Sequence, residues 1–231
     1  MIKYILWDID KTLLDFDYAE FYSLKECFEK FNVGQLTDER FAIYREINRK
    51  YWKVLERQEM DKKEMLENRF IEFFTLYNID TSIAFEFNEE YQKCIGKYVK
   101  FIKNAEETVK EFKDKYKQYA VTNGTLVAQR KKLKKSGLYT LLDDSFISEE
   151  IGFDKPNKDF FDVVMEKIGS HNLDEYIIIG DSLTSDIQGG INIGIKTCWF
   201  NPNCKENSEN IKPDYEIKDL SEVKMILDNL I

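Results

Sequence analysis

Two aspartates, Asp8 and Asp10, follow directly on a short apolar run, Ile2 to Trp7. Strand alternation puts their side chains on the same side, so both can face one pocket. An exposed aspartate has a pKa near ~3.9 and is ionised at neutral pH. An ionised carboxylate can attack phosphorus and form an aspartyl-phosphate. Its neighbour is then placed to protonate a leaving alcohol and later to activate water, and like-charge crowding suits Asp10 to that task. The plainer reading of the pair is two turn aspartates after a strand.

Three further segments carry compatible chemistry. In Val121-Thr122-Asn123-Gly124, the Thr122 hydroxyl and the N–H groups of Asn123 and Gly124 can cradle phosphate oxygens at a helix N-terminus; Asn-Gly is also a common turn pair. Lys155 would neutralise phosphoryl charge and orient a nucleophile, with Pro156 starting the next helix and Lys158 as an alternative cation. In Gly180-Asp181-Ser182-Leu183-Thr184-Ser185-Asp186, Asp181 could join Asp8, the carbonyl of Asp10, phosphate and waters around a hard cation, most simply Mg²⁺. Asp186 would support from behind, by fixing Lys155 or a bound water. An acidic helix start is the plainer reading of that segment.

The elements that must hold these segments alternate. Strands are expected at Ile2 to Trp7, Gln118 to Thr122, Ser145 to Ile147, Tyr176 to Ile179 and Lys196 to Phe200. Helices are expected at Thr108 to Tyr116, Leu126 to Ser136, Asp159 to Ile168, Ser185 to Ile193 and Ser221 to Ile231, with Gly137 as a C-terminal cap. Such alternation implies a parallel sheet covered on both faces, with ligands at the carboxyl ends of its strands. All four segments fall there.

Between Gly34 and Gly96 there is neither glycine nor proline. Apolar stripes at helical spacing run through Phe21 to Phe31, Phe41 to Leu55, Leu66 to Tyr77 and Tyr91 to Ile102. Residues 15–100 therefore read as an all-helical insert of four or five helices. Its aromatics could offer a stacking face, with Tyr18, Tyr44, Asn48 and Trp52 as candidates, although such stripes more often form core.

At 43% hydrophobic and 33% charged, the 231 residues make an ordinary globular composition. The net charge of −9 argues against nucleic-acid binding. Arg130, Lys131, Lys132, Lys134 and Lys135 read as a solvated basic helix face. Cys27, Cys94, Cys198 and Cys204 form no Cys-x-x-Cys pair, and the lone His171 completes no zinc set with them; free thiols in a reducing cytoplasm are expected. No run approaches the ~20 apolar residues of a membrane helix, and the start does not read as a signal peptide.

In order and spacing, the four segments resemble those of the haloacid dehalogenase superfamily of phosphohydrolases. The resemblance implies an α/β fold: a Rossmann-like three-layer parallel-sheet core formed by residues 1–14 and 101–231, with residues 15–100 as an inserted all-helical cap. It implies Asp8 as nucleophile and Asp10 as general acid/base. Thr122, Asn123, Gly124 and Lys155 would bind phosphate; Mg²⁺ would be held by Asp8, Asp10 and Asp181, with Asp186 in support.

Most phosphatases of the superfamily have glycine after the second aspartate, where this chain has Lys11. Bacterial pyrimidine 5′-nucleotidases are among the exceptions. Thr122-Asn123-Gly124-Thr125 followed by Gln129 and Leu133, and the run Tyr44 to Glu56, are similar to that branch. The implied substrate is a nucleoside monophosphate, the implied state a cytoplasmic monomer or homodimer. Phosphoglycolate, sugar phosphates and N-acylneuraminate 9-phosphate are alternative substrates, and phosphomutase an alternative activity. A dehalogenase is disfavoured by Asp10, and a silent binding protein by the intactness of all four segments.

Overall fold

A computed structural model describes residues 1–230; the expected helix end at Ile231 lies outside them. The chain divides into two compact units. One comprises Met1–Phe16 and Val99–Ile231, the other Asp17–Tyr98.

The first unit is built on six strands: β1 (Tyr4–Trp7), β2 (Lys117–Thr122), β3 (Asp144–Ile147), β4 (Tyr176–Gly180), β5 (Lys196–Phe200) and β6 (Tyr215–Ile217). They form one sheet in the order β3-β2-β1-β4-β5-β6, and every pairing is parallel. β1 and β4 are apolar throughout because both faces are covered. Ile5 and Trp7 join Ile177, Ile179, Val109, Phe112 and Leu133 on one face. Leu6 joins Ile178, Phe160, Phe161 and Val164 on the other.

From β1 the chain winds outward through β2 to β3, then crosses back to place β4 on the other flank of β1. This reversal opens a crevice at the carboxyl ends of β1 and β4. Register fixes what lines it. Trp7 pairs with Ala120 and with Ile179, so Asp8, Val121 and Gly180 lie at one level.

The second unit contains α1 from Asp17 onward (the helix spans Phe16–Phe31), α2 (Asp38–Glu56), α3 (Lys62–Leu76) and α4 (Ala84–Ile95). Thr37 and Asp61 cap α2 and α3 by accepting from the N–H groups of Arg40 and Glu64. Phe28, Tyr44, Phe70, Phe73, Phe74, Phe87 and Tyr91 fill its interior, with Tyr44 stacked on Phe70 at 5.2 Å.

Four expectations change. The stripe from Tyr91 to Ile102 breaks at Gly96, because Lys100 accepts from the Asp15 N–H and Ile102 donates to the Leu13 carbonyl; these bridges replace helical hydrogen bonds. Pro156 does not start a helix: the Asn157 side chain caps Lys158–Ile168 instead. Ser185–Ile193 is a π-helical turn, Leu183–Ile187, running into Gln188–Ile193. The short edge strand β6 was not expected from its sequence, Tyr215-Glu216-Ile217, which lacks an apolar run.

Candidate active site

Asp8 extends β1, its N–H donating to the Ile179 carbonyl at 2.9 Å. One carboxylate oxygen, Oδ1, accepts from Lys155 Nζ at 3.0 Å, and Oδ2 accepts from the Thr12 hydroxyl at 3.0 Å. Thr12, fully buried, in turn accepts from the Asp181 N–H at 3.1 Å. It joins the strand-end turns after β1 and β4, a role not assigned to it from sequence.

Lys155 arrives from the loop before Lys158–Ile168 and is held at both main-chain and side-chain level. The Asn123 side chain accepts from its N–H and donates to its carbonyl, both at 2.8 Å. The ammonium donates to the Val121 carbonyl at 2.7 Å, to Asp186 Oδ1 at 2.6 Å and to Asp8. Lys158, by contrast, is exposed and paired one helical turn on with Asp162.

Asp186 folds back beneath the end of β4. Its Oδ2 accepts from the Ser182 N–H at 3.1 Å, so both oxygens are engaged by the protein. Gly180 permits this: a Cβ there would stand 2.2 Å from Asp186 Oδ2. Asp186 therefore fixes Lys155, one of the two supporting roles expected of it.

Asp8, Asp181 and Asp186 bring carboxylate oxygens within 4.8 Å of one another. Burial pushes the Asp8 carboxyl up to about 7, against the pull of Lys155, with Asp186 adding to the rise. Burial also raises Asp181 to about 7, with Asp8 adding and Lys11 opposing. Burial raises Asp186 too, against Lys155. For Lys155, burial disfavours the ammonium, but Asp186 and Asp8 outweigh it and the net direction is up. Two buried carboxylates, Asp8 and Asp186, thus pair with one buried lysine, and a third, half-buried carboxylate, Asp181, stands beside them. Hard oxygen donors with surplus negative charge suit a divalent cation such as Mg²⁺. Both oxygens of Asp8 and of Asp186 already accept one hydrogen bond each, whereas Asp181 meets Lys205 at 3.8 Å, so Asp181 keeps the most capacity for it.

Thr122 ends β2, and its hydroxyl oxygen accepts from the Gly124 N–H at 3.1 Å. The Gly124 N–H is thus engaged within the turn, and the Thr122 hydroxyl proton and the Asn123 N–H are what it can still offer a phosphate. Gly124 has a second constraint, since a Cβ there would meet Gln129 Nε2 at 2.1 Å.

Asp10 turns toward α6 (Leu126–Ser136), the helix that follows α5 (Ala105–Phe112) in the chain. Its Oδ1 accepts from Lys132 Nζ at 2.5 Å and its Oδ2 from Gln129 Nε2 at 2.6 Å. With its carboxylate so engaged, its main-chain carbonyl is the oxygen it would offer a metal. Lys132 is 2% exposed, which corrects the expectation of a uniformly solvated basic face; Arg130, Lys131, Lys134 and Lys135 are exposed. Lys11 adopts φ 72°, the left-handed region where glycine is the usual occupant. The turn between Asp10 and Thr12 thus takes a backbone conformation that glycine would adopt without strain.

In the helical unit, Tyr44 and Asn48 are buried. Asn48 donates to Glu20 and accepts from Arg69, each at 2.7 Å, so neither side chain presents a stacking face. Trp52 packs against the small cluster of Leu55, Met65 and Leu66. Tyr18 is half-buried beside Tyr22. The four cysteines are free thiols, three of them buried. Among the described residues no helix is long and apolar enough to cross a membrane.

A doubly wound parallel sheet with a carboxylate–lysine cluster at its switch point defines an α/β protein equipped to hold a cation and an anion together. The chain belongs to the haloacid dehalogenase-like hydrolases, matching that family over residues 5–200. It is 37% identical to the HAD-hydrolase YfnB of Bacillus subtilis over 223 residues, 96% of this chain and 94% of that one. The crystal structure of YfnB bound to magnesium superposes with a TM-score of 0.93, covering 98% of this chain and 99% of that one at 36% identity. Pyrimidine 5′-nucleotidase PynA of Streptococcus pneumoniae is 32% identical over 230 residues, 99% of this chain and 96% of its own. Pyrimidine 5′-nucleotidase YjjG of Escherichia coli is 30% identical over 224 residues, 97% of each chain.

Proposed function

We propose that this hydrolase is a Mg²⁺-dependent phosphomonoesterase that forms an aspartyl-phosphate on Asp8 and acts on pyrimidine nucleoside 5′-monophosphates. One observation carries the chemistry: buried Asp8, held by Lys155 and Thr12, stands among surplus carboxylates at the sheet's switch point. The substrate class is supported by the two nucleotidase relatives, which align over nearly the whole chain. The helical unit Asp17–Tyr98 is proposed as the cap domain and the remainder as the catalytic core.

Mg²⁺ between Asp8, Asp181 and the Asp10 carbonyl would offset the repulsion between the carboxylate and the phosphoryl oxygens. The Lys155 ammonium would offset phosphoryl charge, and the Thr122 hydroxyl would take a remaining phosphoryl oxygen. In the first step an Asp8 oxygen bonds to phosphorus, the phosphorus–ester oxygen bond breaks, and Asp10 gives the departing nucleoside oxygen its proton. In the second, a water oxygen bonds to phosphorus and loses a proton to Asp10. The phosphorus–Asp8 bond then breaks, releasing phosphate and restoring both carboxyl groups.

The test is phosphate release with Mg²⁺ from UMP, dUMP, dTMP, purine monophosphates, phosphoglycolate and sugar phosphates. Preference for the pyrimidine esters is expected, with Asp8→Asn lowering turnover by more than about 10⁴-fold while the protein stays folded. Turnover of other esters alone would overturn the substrate class and keep the chemistry. Full activity in Asp8→Asn would overturn the nucleophile.

A further inference from the structure

One arrangement in the sheet unit lies outside the roles given so far. Lys132 is the only member of its basic run to be buried, and its ammonium sits 2.5 Å from Asp10 Oδ1 and 5.0 Å from the centre of the Phe16 ring. Burying an ammonium is unfavourable unless it is paired, so its place is determined by Asp10. Gln129 lies one helical turn back on the same face of α6 and donates to the other Asp10 oxygen. To do so it leaves its own Oε1 buried with no hydrogen-bond partner. The amide is therefore oriented by what Asp10 needs. Gly124 completes the arrangement by giving Gln129 the space that a Cβ would fill.

We propose that Lys132, assisted by Gln129, is a positioning residue for Asp10, holding its carboxyl group in one orientation at the site. The inference rests on the acid/base role proposed for Asp10. A carboxyl group held at both oxygens keeps its direction toward the water that opens the aspartyl-phosphate. In that step the water oxygen bonds to phosphorus, its proton passes to Asp10, and the phosphorus–Asp8 bond breaks. Lys132 acts through Asp10 in both steps and has no assigned contact with substrate.

A double-mutant cycle on UMP hydrolysis tests this. Lys132→Met is expected to lower kcat by about 10–100-fold with KM changed less than about 3-fold, and Lys132→Arg to recover most of the loss. In an Asp10→Asn background, Lys132→Met should change kcat by less than about 3-fold, because its effect runs through the missing carboxylate. Gln129→Leu should follow the same pattern and carries the cycle if Lys132→Met does not fold. Wild-type kcat in both Lys132→Met and Gln129→Leu overturns the proposal. So do losses that multiply with Asp10→Asn, or a loss confined to KM. Turnover that survives Asp10→Asn intact removes the role of Asp10 itself; turnover that needs Asp10 but neither Lys132 nor Gln129 removes only this inference.

Discussion

In the helical unit Arg69 is 1% exposed, and its guanidinium donates to Asn48, Asn88 and the Leu66 carbonyl while lying against the rings of Phe70 and Tyr91. Asn48 passes the link on to buried Glu20, which also lies 3.8 Å from Arg45. At the strand ends of the sheet unit, Asp8 and Asp186 share one buried cation, Lys155, while Asp181, with a carboxylate oxygen within 4.8 Å of theirs, meets exposed Lys205 at 3.8 Å. The first cluster is balanced in charge and closed by amide groups, as a structural network must be. The second is unbalanced, and the folded chain raises two of its carboxyls to about 7. Buried charge that protein groups complete is architecture. Buried charge left in surplus marks a place for something the chain itself does not supply.

The sharpest way to break this comparison is to unbalance the balanced side. Arg69→Met should destabilise the protein by about 3–5 kcal/mol, because Glu20 and two asparagines lose the cation they are arranged around. Urea unfolding measures it; a change below about 1 kcal/mol would mean that the network is not structural. Gly180→Ala disturbs the unbalanced side. The new Cβ must displace Asp186 from Lys155, at about 1–3 kcal/mol, and turnover should fall while the helical unit is untouched. Unchanged turnover would show that Asp186 does not position Lys155. The smallest effect is expected from Lys158→Ala. Its exposed pair with Asp162 contributes no more than about 0.5 kcal/mol, and phosphate release should match the unaltered protein. A loss of turnover there would reopen Lys158 as the alternative to Lys155.

The site residues at strand ends were legible in sequence because such ends in a parallel sheet are set by short apolar runs, and Asp8, Thr122 and Asp181 stand at the ends of three of them. The supporting residues were harder to read. Thr12, Gln129 and Lys132 are fixed by contacts 119 to 169 residues away in the chain, which no local pattern encodes. A signal for Lys132 did exist: with Ala128, Gln129 and Leu133 it lies on the buried face of α6, at the spacing of an inward stripe. Its setting among Arg130, Lys131, Lys134 and Lys135 hid it. Tyr44 and Asn48 failed as candidates for the opposite reason. An aromatic stripe carries no mark distinguishing core from contact, and here Phe70 and Arg69 claim it.

Thermal melting with and without Mg²⁺, at pH 5 and at pH 8, tests the central claim most directly. Asp8 and Asp181 titrate near 7 in the fold and near ~3.9 when unfolded. Their folded pKa values are raised, so the metal-free protein holds their full contribution to stability below about pH 4 and loses it as pH rises toward and through 7. Mg²⁺ takes the ionised carboxylates and should restore what is lost. The account predicts a small Mg²⁺-induced rise in Tm at pH 5, a larger one at pH 8, and abolition of both by Asp181→Asn. No rise at pH 8, or a rise that survives Asp181→Asn, would contradict a cation site built from this carboxylate surplus.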